Sequence, residues 1–262
     1  MSFETAMIPS LGLPFFSRFE CKYLVSEAMA QELRQRLRYF MVLDSFCAKS
    51  EDFSYLNTSL YFDSPDYQCR EATDQGAKNR FKIRLRWYDD APGTPLYLEE
   101  KRRTTDAISK SRVKMHHEAL ASLTAGRMPR ASMVLDESQE ALAEARRLSD
   151  KMLAMRARPA CYVRYRREAW AGKESAKYVR ATFDRALEGH APLDAHGRFS
   201  FARATDPGWI PSGERRVIFE VKFESAMPPW LQNTVRDFAL RRVSVPKYLL
   251  CLDAIESAPR RL

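Results

Sequence analysis

The sequence has few cysteines, and their arrangement builds no covalent or metal-bound framework. The five are odd in number and scattered, without a CxxC pair: Cys21, Cys47, Cys69, Cys161 and Cys251. This usage is typical of reduced thiols, and it argues against a disulfide scaffold and a structural zinc site. The sequence therefore predicts a cytoplasmic protein.

Long apolar runs and internal repeats are also lacking. No stretch approaches the roughly 18–20 apolar residues with which a helix crosses a bilayer. The N-terminal stretch has neither the basic start nor the continuous apolar run of a signal peptide. We expect a leader over residues 1–14, a single domain over 15–256 and a tail over 257–262, with no direct membrane insertion.

Aromatic residues and positive charge, by contrast, are plentiful. The 262 residues include 15 Phe, 11 Tyr and 4 Trp, and 45% are hydrophobic, which is enough for a sizeable core and argues against a disordered chain. Lys and Arg number 43 against 34 Asp and Glu, a net charge of +9. This balance indicates an anionic partner, such as nucleic acid, phosphates or a membrane surface.

Period-two alternation and turn signals predict many strands and few helices. Strands are predicted at 16–25, 58–63, 79–89, 96–104, 111–117, 160–171, 178–187 and 215–225. Helices are predicted at 26–40, within 118–156 and at 229–241. Because the order shows no alternation of strand and helix, the sequence predicts an α+β fold: an antiparallel β-barrel of about eight strands, with helices packed on the outside.

The polar face of the predicted strands is consistently the charged one. Arg80, Lys82, Arg84 and Arg86 alternate with apolar residues along a single strand, so they share one face. The same split recurs on the other strands. The basic positions number fourteen: Arg18, Lys22, Arg80, Lys82, Arg84, Arg86, Lys101, Arg103, Lys110, Arg112, Lys114, Arg167, Arg180 and Lys222. The acidic positions number five: Glu20, Glu99, Asp184, Glu220 and Glu224.

Two interpretations of this charged face compete. Alternation normally marks a solvated sheet face. However, rows of like charge on one strand face repel each other, and in a closed barrel these side chains converge inside. A converging basic interior is stable when counter-ions or a polyanion are bound. The sequence therefore favours a site for a triphosphate or polyphosphate chain.

Seven segments, in order, resemble the polyphosphate polymerase domain of the vacuolar transporter chaperone (VTC) family. This family is a branch of the CYTH-like triphosphate tunnel metalloenzymes. The matching segments are residues 18–23, 59–67, 82–88, 98–101, 165–170, 179–184 and 219–222. The resemblance implies an antiparallel tunnel that binds a phosphate chain and Mn²⁺ or Mg²⁺. In polymerase members, the γ-phosphate of ATP is transferred to a growing polyphosphate chain.

The resemblance also implies roles for individual residues. Arg84, Arg86, Lys101 and Arg167 would contact the reacting phosphates. Glu220 would be the metal carboxylate, and Glu20 a second ligand or a partner that orients Lys22. The other expected substrate-binding residues are Lys22, Arg80, Lys82, Arg103, Lys110, Arg112, Tyr165, Arg180, Lys222 and Lys247. Asp184 is expected to be an ion-pair partner inside the barrel.

Three functions remain open. The first is an ATP-dependent polyphosphate polymerase, the second a hydrolase of triphosphate or polyphosphate, and the third a non-catalytic binder of polyphosphate. Simple triphosphatases of the superfamily often have a glutamate at the position that Arg18 occupies here. The arginine removes a metal ligand, so the resemblance disfavours a simple triphosphatase. Nucleic acid is disfavoured as a partner because no helix-turn-helix, RNP or zinc-finger motif is present. Any membrane coupling would require a separate partner chain.

Overall fold

A computed structural model describes residues 18–259 except residues 92, 106, 195 and 204, so the predicted leader lies outside the described residues. Ten strands are present in this part: β1 (Arg18–Val25), β2 (Met41–Leu43), β3 (Tyr55–Asp63), β4 (Asn79–Trp87), β5 (Leu96–Thr104), β6 (Ala107–Met115), β7 (Arg158–Gly172), β8 (Arg180–His190), β9 (Ile210–Pro211) and β10 (Val217–Glu224). It also contains seven α-helices: α1 (Glu27–Leu37), α2 (Ser45–Ala48), α3 (Gln68–Asp74), α4 (Ala119–Thr124), α5 (Gln139–Ala154), α6 (Pro229–Asp237) and α7 (Lys247–Ser257).

All ten strands join one antiparallel sheet. Eight of them follow the order β1-β10-β8-β7-β3-β4-β5-β6, with β2 attached to β7 and β9 attached to β8. The sheet curls until the Lys101 ammonium on β5 lies 2.9 Å from the Glu20 carboxylate on β1. Among the described residues, no hydrogen-bonded ladder joins β1 to β6, so the tunnel is an incompletely closed barrel. The predicted α+β tunnel fold of about eight strands is confirmed.

Helices cover the outer face of the sheet, as predicted. The Ser26 and Ser138 hydroxyls accept hydrogen bonds from backbone amides and begin α1 and α5. One outer core packs α4 and α5 against β3–β6 and includes Ile83, Leu85 and Leu148. A second packs α1 and α6 against β1, β8 and β10. The apolar side chains of the strands are buried in these two outer cores. Because successive side chains of a strand point to opposite faces, the charged positions between them point inward.

Helix α7 lies inside the curve of the sheet, and the sequence did not predict it. Tyr248 stacks on Tyr61 of β3 with ring centroids 5.0 Å apart. Beyond it, Cys251 approaches Gly189 of β8 so closely that a Cβ at residue 189 would lie 2.8 Å from the Cys251 Cβ. Tyr61, Tyr248 and Cys251 belong, together with Val163, to an apolar inner core. Helix α7 therefore fills one end of the tunnel.

Two further features bear on the sequence predictions. All five cysteines are free and buried, in agreement with the reduced state predicted for them. Across the described ranges, no helix has both the length and the apolar character needed to cross a membrane.

Candidate functional site in the tunnel

Strand pairing brings the charged rows of the sequence onto one inner face. Across β4 and β5, Arg84 pairs with Glu99 and Lys82 pairs with Lys101. The same face continues through β6, where Arg112 pairs with Glu99. The predicted rows thus face the space enclosed by the sheet.

Glu99 is the centre of the first charge cluster, and its side chain is 1% exposed. The Arg84 guanidinium and the Lys110 ammonium lie 2.9 and 2.8 Å from its oxygens, and Arg112 lies at 3.5 Å. Arg86 forms a fourth, shorter contact. Burial raises the pKa of Glu99, but Arg84 and Lys110 together hold it below its usual value. One carboxylate is therefore shared by four cations.

Glu20 and Glu220 form the second cluster with three lysines. Lys22 lies 2.9 Å from Glu20 and 3.5 Å from Glu220, and Lys222 lies 3.9 and 2.6 Å from the same two carboxylates. Lys101 reaches Glu20 from β5. Although burial and Glu220 oppose the shift, the lysines lower the pKa of Glu20 to about 2, and that of Glu220 is also depressed. Both carboxylates are ionised at neutral pH.

Asp184 is the ion-pair partner that the sequence predicted. The Arg167 guanidinium donates two hydrogen bonds of 2.7 Å to the Asp184 carboxylate, and Lys247 of α7 contacts the same group. Both cations also lie over the Tyr165 ring, with the Lys247 ammonium 3.6 Å and the Arg167 guanidinium carbon 5.1 Å from its centroid. A planar guanidinium fixed in this bidentate way presents its remaining donors in a defined direction.

Lys82 has no carboxylate partner among the described residues. Its ammonium lies 5.9 Å from the centroid of the Tyr248 ring. Burial, followed by the neighbouring charges of Lys22, Arg80 and Lys101, lowers the pKa of Lys82 to about 7. An inward cation with cationic neighbours favours a bound anion.

The remaining predicted substrate-binding residues lie near the ends of the tunnel. Arg80 donates to the Ala77 carbonyl oxygen at 2.5 Å, and Arg103, its partner across β4 and β5, donates to the Thr105 carbonyl oxygen at 2.8 Å. Arg180 is exposed at the start of β8, opposite Lys222 of β10.

Three buried polar side chains on the inner face received no role from the sequence. The Asn57 amide, the Ser59 hydroxyl and the Thr182 hydroxyl form no hydrogen bonds with other described residues. Buried polar groups are nearly always satisfied by protein, water or ligand. The sequence contains a signal for two of them. In β3, which is buried along most of its length, Asn57 and Ser59 share one face of the strand, and this pattern could have predicted polar groups inside the tunnel.

The carboxylates of the second cluster are the candidate metal ligands of the tunnel. Glu20 of β1 pairs with Lys222 of β10, and Glu220 of β10 pairs with Lys22 of β1, so the two glutamates are diagonal neighbours. They share these two lysines, and together they offer two hard oxygen ligands. No group of three or more potential ligands occurs in the described part of the chain. The donor set fits a divalent cation whose other ligands are phosphate oxygens and water.

Comparison with known proteins agrees with the resemblance found in the sequence. None of the curated proteins matches the chain. Among solved structures, it is similar to a candidate adenylate cyclase of Bacillus halodurans, with TM-score 0.49 and 14% identity over 88% of this chain and 94% of that one. It is also similar to the PH1819 protein of Pyrococcus horikoshii OT3, with TM-score 0.39 and 11% identity over 86% and 92%. The VTC domain model matches residues 17–255, so the chain belongs to the VTC domain family.

Proposed function

We propose that this protein is a metal-dependent polyphosphate polymerase, which transfers the γ-phosphate of ATP to a polyphosphate chain held in the tunnel. The observation that carries the proposal is the excess of cations over carboxylates inside the sheet. Four buried or nearly buried carboxylates, Glu20, Glu99, Asp184 and Glu220, are shared by nine cations. A phosphate chain supplies closely spaced negative charges that would neutralise this excess.

The cations differ in what they contribute. Arg84, Arg86 and Arg167 have planar donor groups that bind phosphoryl oxygens in pairs, whereas Lys22 and Lys101 act as compact charges. Glu99 and Asp184 hold the arginines in place before substrate arrives. Such preorganised positive charge stabilises the charge of the transferring phosphoryl group.

The proposed transfer requires no nucleophilic side chain. A terminal oxygen of the polyphosphate chain forms the new P–O bond while the bond to the ADP leaving group breaks. The chain's own residues align the two oxygens and neutralise their charge. Glu220 with Glu20 would hold the Mn²⁺ or Mg²⁺, which would supply further neutralisation of the phosphate oxygens.

Helix α7 supports a second candidate, hydrolysis of a triphosphate or polyphosphate. On the inner side of the sheet, Tyr248 covers the C-terminal end of β3 at Tyr61, and Cys251 covers β8 at Gly189. A long product chain cannot pass through an end that a helix fills. A hydrolase that accepts a chain end from the opposite side has no need of such passage.

One assay separates these reactions. Purified protein is incubated with ATP and Mn²⁺ or Mg²⁺, and polyphosphate and free phosphate are measured together. Arg84→Ala removes a tunnel cation, while Arg216→Ala removes an exposed arginine that pairs with Glu214 outside the tunnel.

Under the polymerase proposal, polyphosphate forms with the wild type and with Arg216→Ala, and falls at least about 100-fold with Arg84→Ala, as for loss of a transition-state contact. Free phosphate without polyphosphate would identify a hydrolase. If neither product forms while inorganic triphosphate still raises the melting temperature, the protein is a binder and both catalytic proposals are wrong.

A further inference from the structure

Three inward-facing tyrosines lie beside the phosphate-binding cations, at the end of the tunnel that α7 leaves uncovered. We propose that this tyrosine row, Tyr55, Tyr88 and Tyr97, is a stacking platform for the base of a nucleoside triphosphate. The inference rests on the proposed function, since it assigns the nucleoside end of the same ligand.

The row crosses three neighbouring strands. Tyr55 begins β3, Tyr88 follows β4, and Tyr97 lies in β5. The Tyr55 and Tyr88 ring centroids are 5.7 Å apart, those of Tyr88 and Tyr97 are 5.9 Å apart, and both pairs meet edge to face. Phe46, 73% exposed, extends the row with its centroid 6.4 Å from that of Tyr55. The three tyrosines are only partly buried. The Arg112 guanidinium carbon lies 3.6 Å from the Tyr97 ring centroid, so one face of this ring is covered by a tunnel arginine and a base would use the other face.

Each tyrosine is linked to an arginine of the tunnel. Tyr55 pairs with Arg167 across β3 and β7, and Tyr97 pairs with Arg86 across β4 and β5. The Tyr88 hydroxyl accepts a hydrogen bond of 3.2 Å from the Arg86 guanidinium. Directly paired residues in antiparallel strands lie about 5 Å apart. A base on the row therefore places its phosphates next to Arg86 and Arg167.

Asn57 supplies an independent sign of a ligand at this position. It lies two residues from Tyr55 on the same face of β3 and is fully buried. Neither its amide nitrogen nor its amide oxygen has a hydrogen-bond partner among the described residues. A group that both donates and accepts, such as a ribose hydroxyl or a base edge, would satisfy both atoms.

The opposite end of β3 is covered by α7, and this difference between the two ends determines which way a nucleotide would lie in the tunnel. There the inward-facing Tyr61 is stacked under Tyr248 of α7 and is 7% exposed. A nucleoside is larger than a phosphate and requires an open end. The nucleoside is therefore placed at the tyrosine row, with the phosphates pointing toward Arg84 and Lys82.

The test compares two ligands that share the triphosphate and differ in the nucleoside. Binding of ATP and of inorganic triphosphate is measured by calorimetry in EDTA, so that metal-dependent turnover does not occur. The variants are Tyr88→Leu and Tyr97→Leu, with Tyr88→Phe as the conservative change. Tyr178→Leu, at a tyrosine that is 61% exposed and precedes β8, is the matched control. Melting temperatures establish that each variant folds.

We expect the wild type, Tyr88→Phe and Tyr178→Leu to bind ATP about tenfold more tightly than triphosphate, the scale of one stacked base. In Tyr88→Leu and Tyr97→Leu the ratio should fall to near one, because ATP affinity falls more than triphosphate affinity. A ratio near one in the wild type, or equal losses for both ligands in the leucine variants, would overturn the platform and leave the phosphate site standing. Failure of the wild type to bind either ligand would overturn the proposed function as well.

Discussion

At the scale of single residues, Lys82 is the strongest reason to propose an anion in the tunnel. The ammonium group faces inward, has no carboxylate partner among the described residues, and lies close to other cations. Burial and those cations both favour the neutral amine, which is why the pKa falls to about 7. A phosphate bound beside Lys82 would favour the protonated amine and so offset the effect of burial and of the neighbouring cations.

The first prediction is a pH-dependent contribution of Lys82 to binding. Below pH 7 the amine is protonated and attracts phosphate, and above pH 7 it becomes neutral and loses that attraction. We expect wild type to bind inorganic triphosphate about tenfold more tightly than Lys82→Met at pH 6, with the ratio approaching one near pH 9. Calorimetry at both pH values measures this ratio.

Ionisation of the triphosphate itself cancels in the ratio, because both proteins bind the same ligand. Lys177→Met, at a half-exposed lysine that pairs with Glu174 on the outside, should match the wild type at every pH. A ratio of wild type to Lys82→Met that stays constant from pH 6 to pH 9 would contradict the assignment.

At the scale of elements, α7 has two roles that follow from where it packs. Its first residue, Lys247, reaches Asp184 and the Tyr165 ring in the charged part of the tunnel. Its apolar residues then join an inner core with β3, β7 and β8. Helix α7 thus contributes a cation to the proposed phosphate site and closes the tunnel beyond it.

The second prediction concerns the close approach of α7 to β8. An alanine Cβ at residue 189 would lie 2.8 Å from the Cys251 Cβ and 2.9 Å from the Cys251 carbonyl oxygen, so Gly189→Ala must displace the helix. Overpacking of this kind costs about 1–3 kcal/mol of the free energy of unfolding. Urea denaturation measures that loss, and hydrogen exchange locates it.

The exchange pattern supplies an internal control within the same protein. Amides of α7, residues 247–257, should lose protection in Gly189→Ala, whereas amides of α6, residues 229–237, pack on the outer face and should retain it. Equal loss of protection in both helices would indicate general destabilisation and would contradict the packing described for α7.

At the scale of the whole molecule, the position of the positive charge matters more than its amount. The chain has a net charge of +9, and the inner strand faces hold a comparable surplus. A surface charge acts on a triphosphate through screened solvent, whereas a charge inside the tunnel acts at short range and at lower dielectric. Two substitutions that change the net charge equally should therefore differ in effect.

The third prediction compares Lys110→Glu with Lys177→Glu. The side chains are similarly exposed, at 45% and 50%, but Lys110 contacts Glu99 in the tunnel and Lys177 contacts Glu174 outside. At a triphosphate concentration 100 times Kd, the wild type should gain about 2.7 kcal/mol in the free energy of unfolding. Lys177→Glu should retain this gain and Lys110→Glu should lose most of it, as measured by urea denaturation with and without triphosphate. Equal losses would show that net charge alone governs binding.

The sequence predicted the long strands well and the short elements poorly. Strand β5 was predicted with its observed bounds, and β4 within two residues, because both alternate strictly and end at turn signals. The four-residue α2, the seven-residue α3 and the three-residue β2 were missed, since segments this short show too little periodicity. Helix α7 was missed because its residues are apolar on more than one side, as suits a helix buried inside a tunnel.

By itself, the sequence determined the fold class and the row of positive charge, because period-two alternation assigns each residue of a strand to a face without reference to any other strand. Only the tertiary structure decided which cations share a carboxylate, that Lys82 has no carboxylate partner within the described part of the chain, and that α7 fills one end. Those facts depend on register and curvature, which bring together residues as distant in sequence as Glu20 and Lys101. The tyrosine row has the same origin, since its members gain a common position only when β3, β4 and β5 pair.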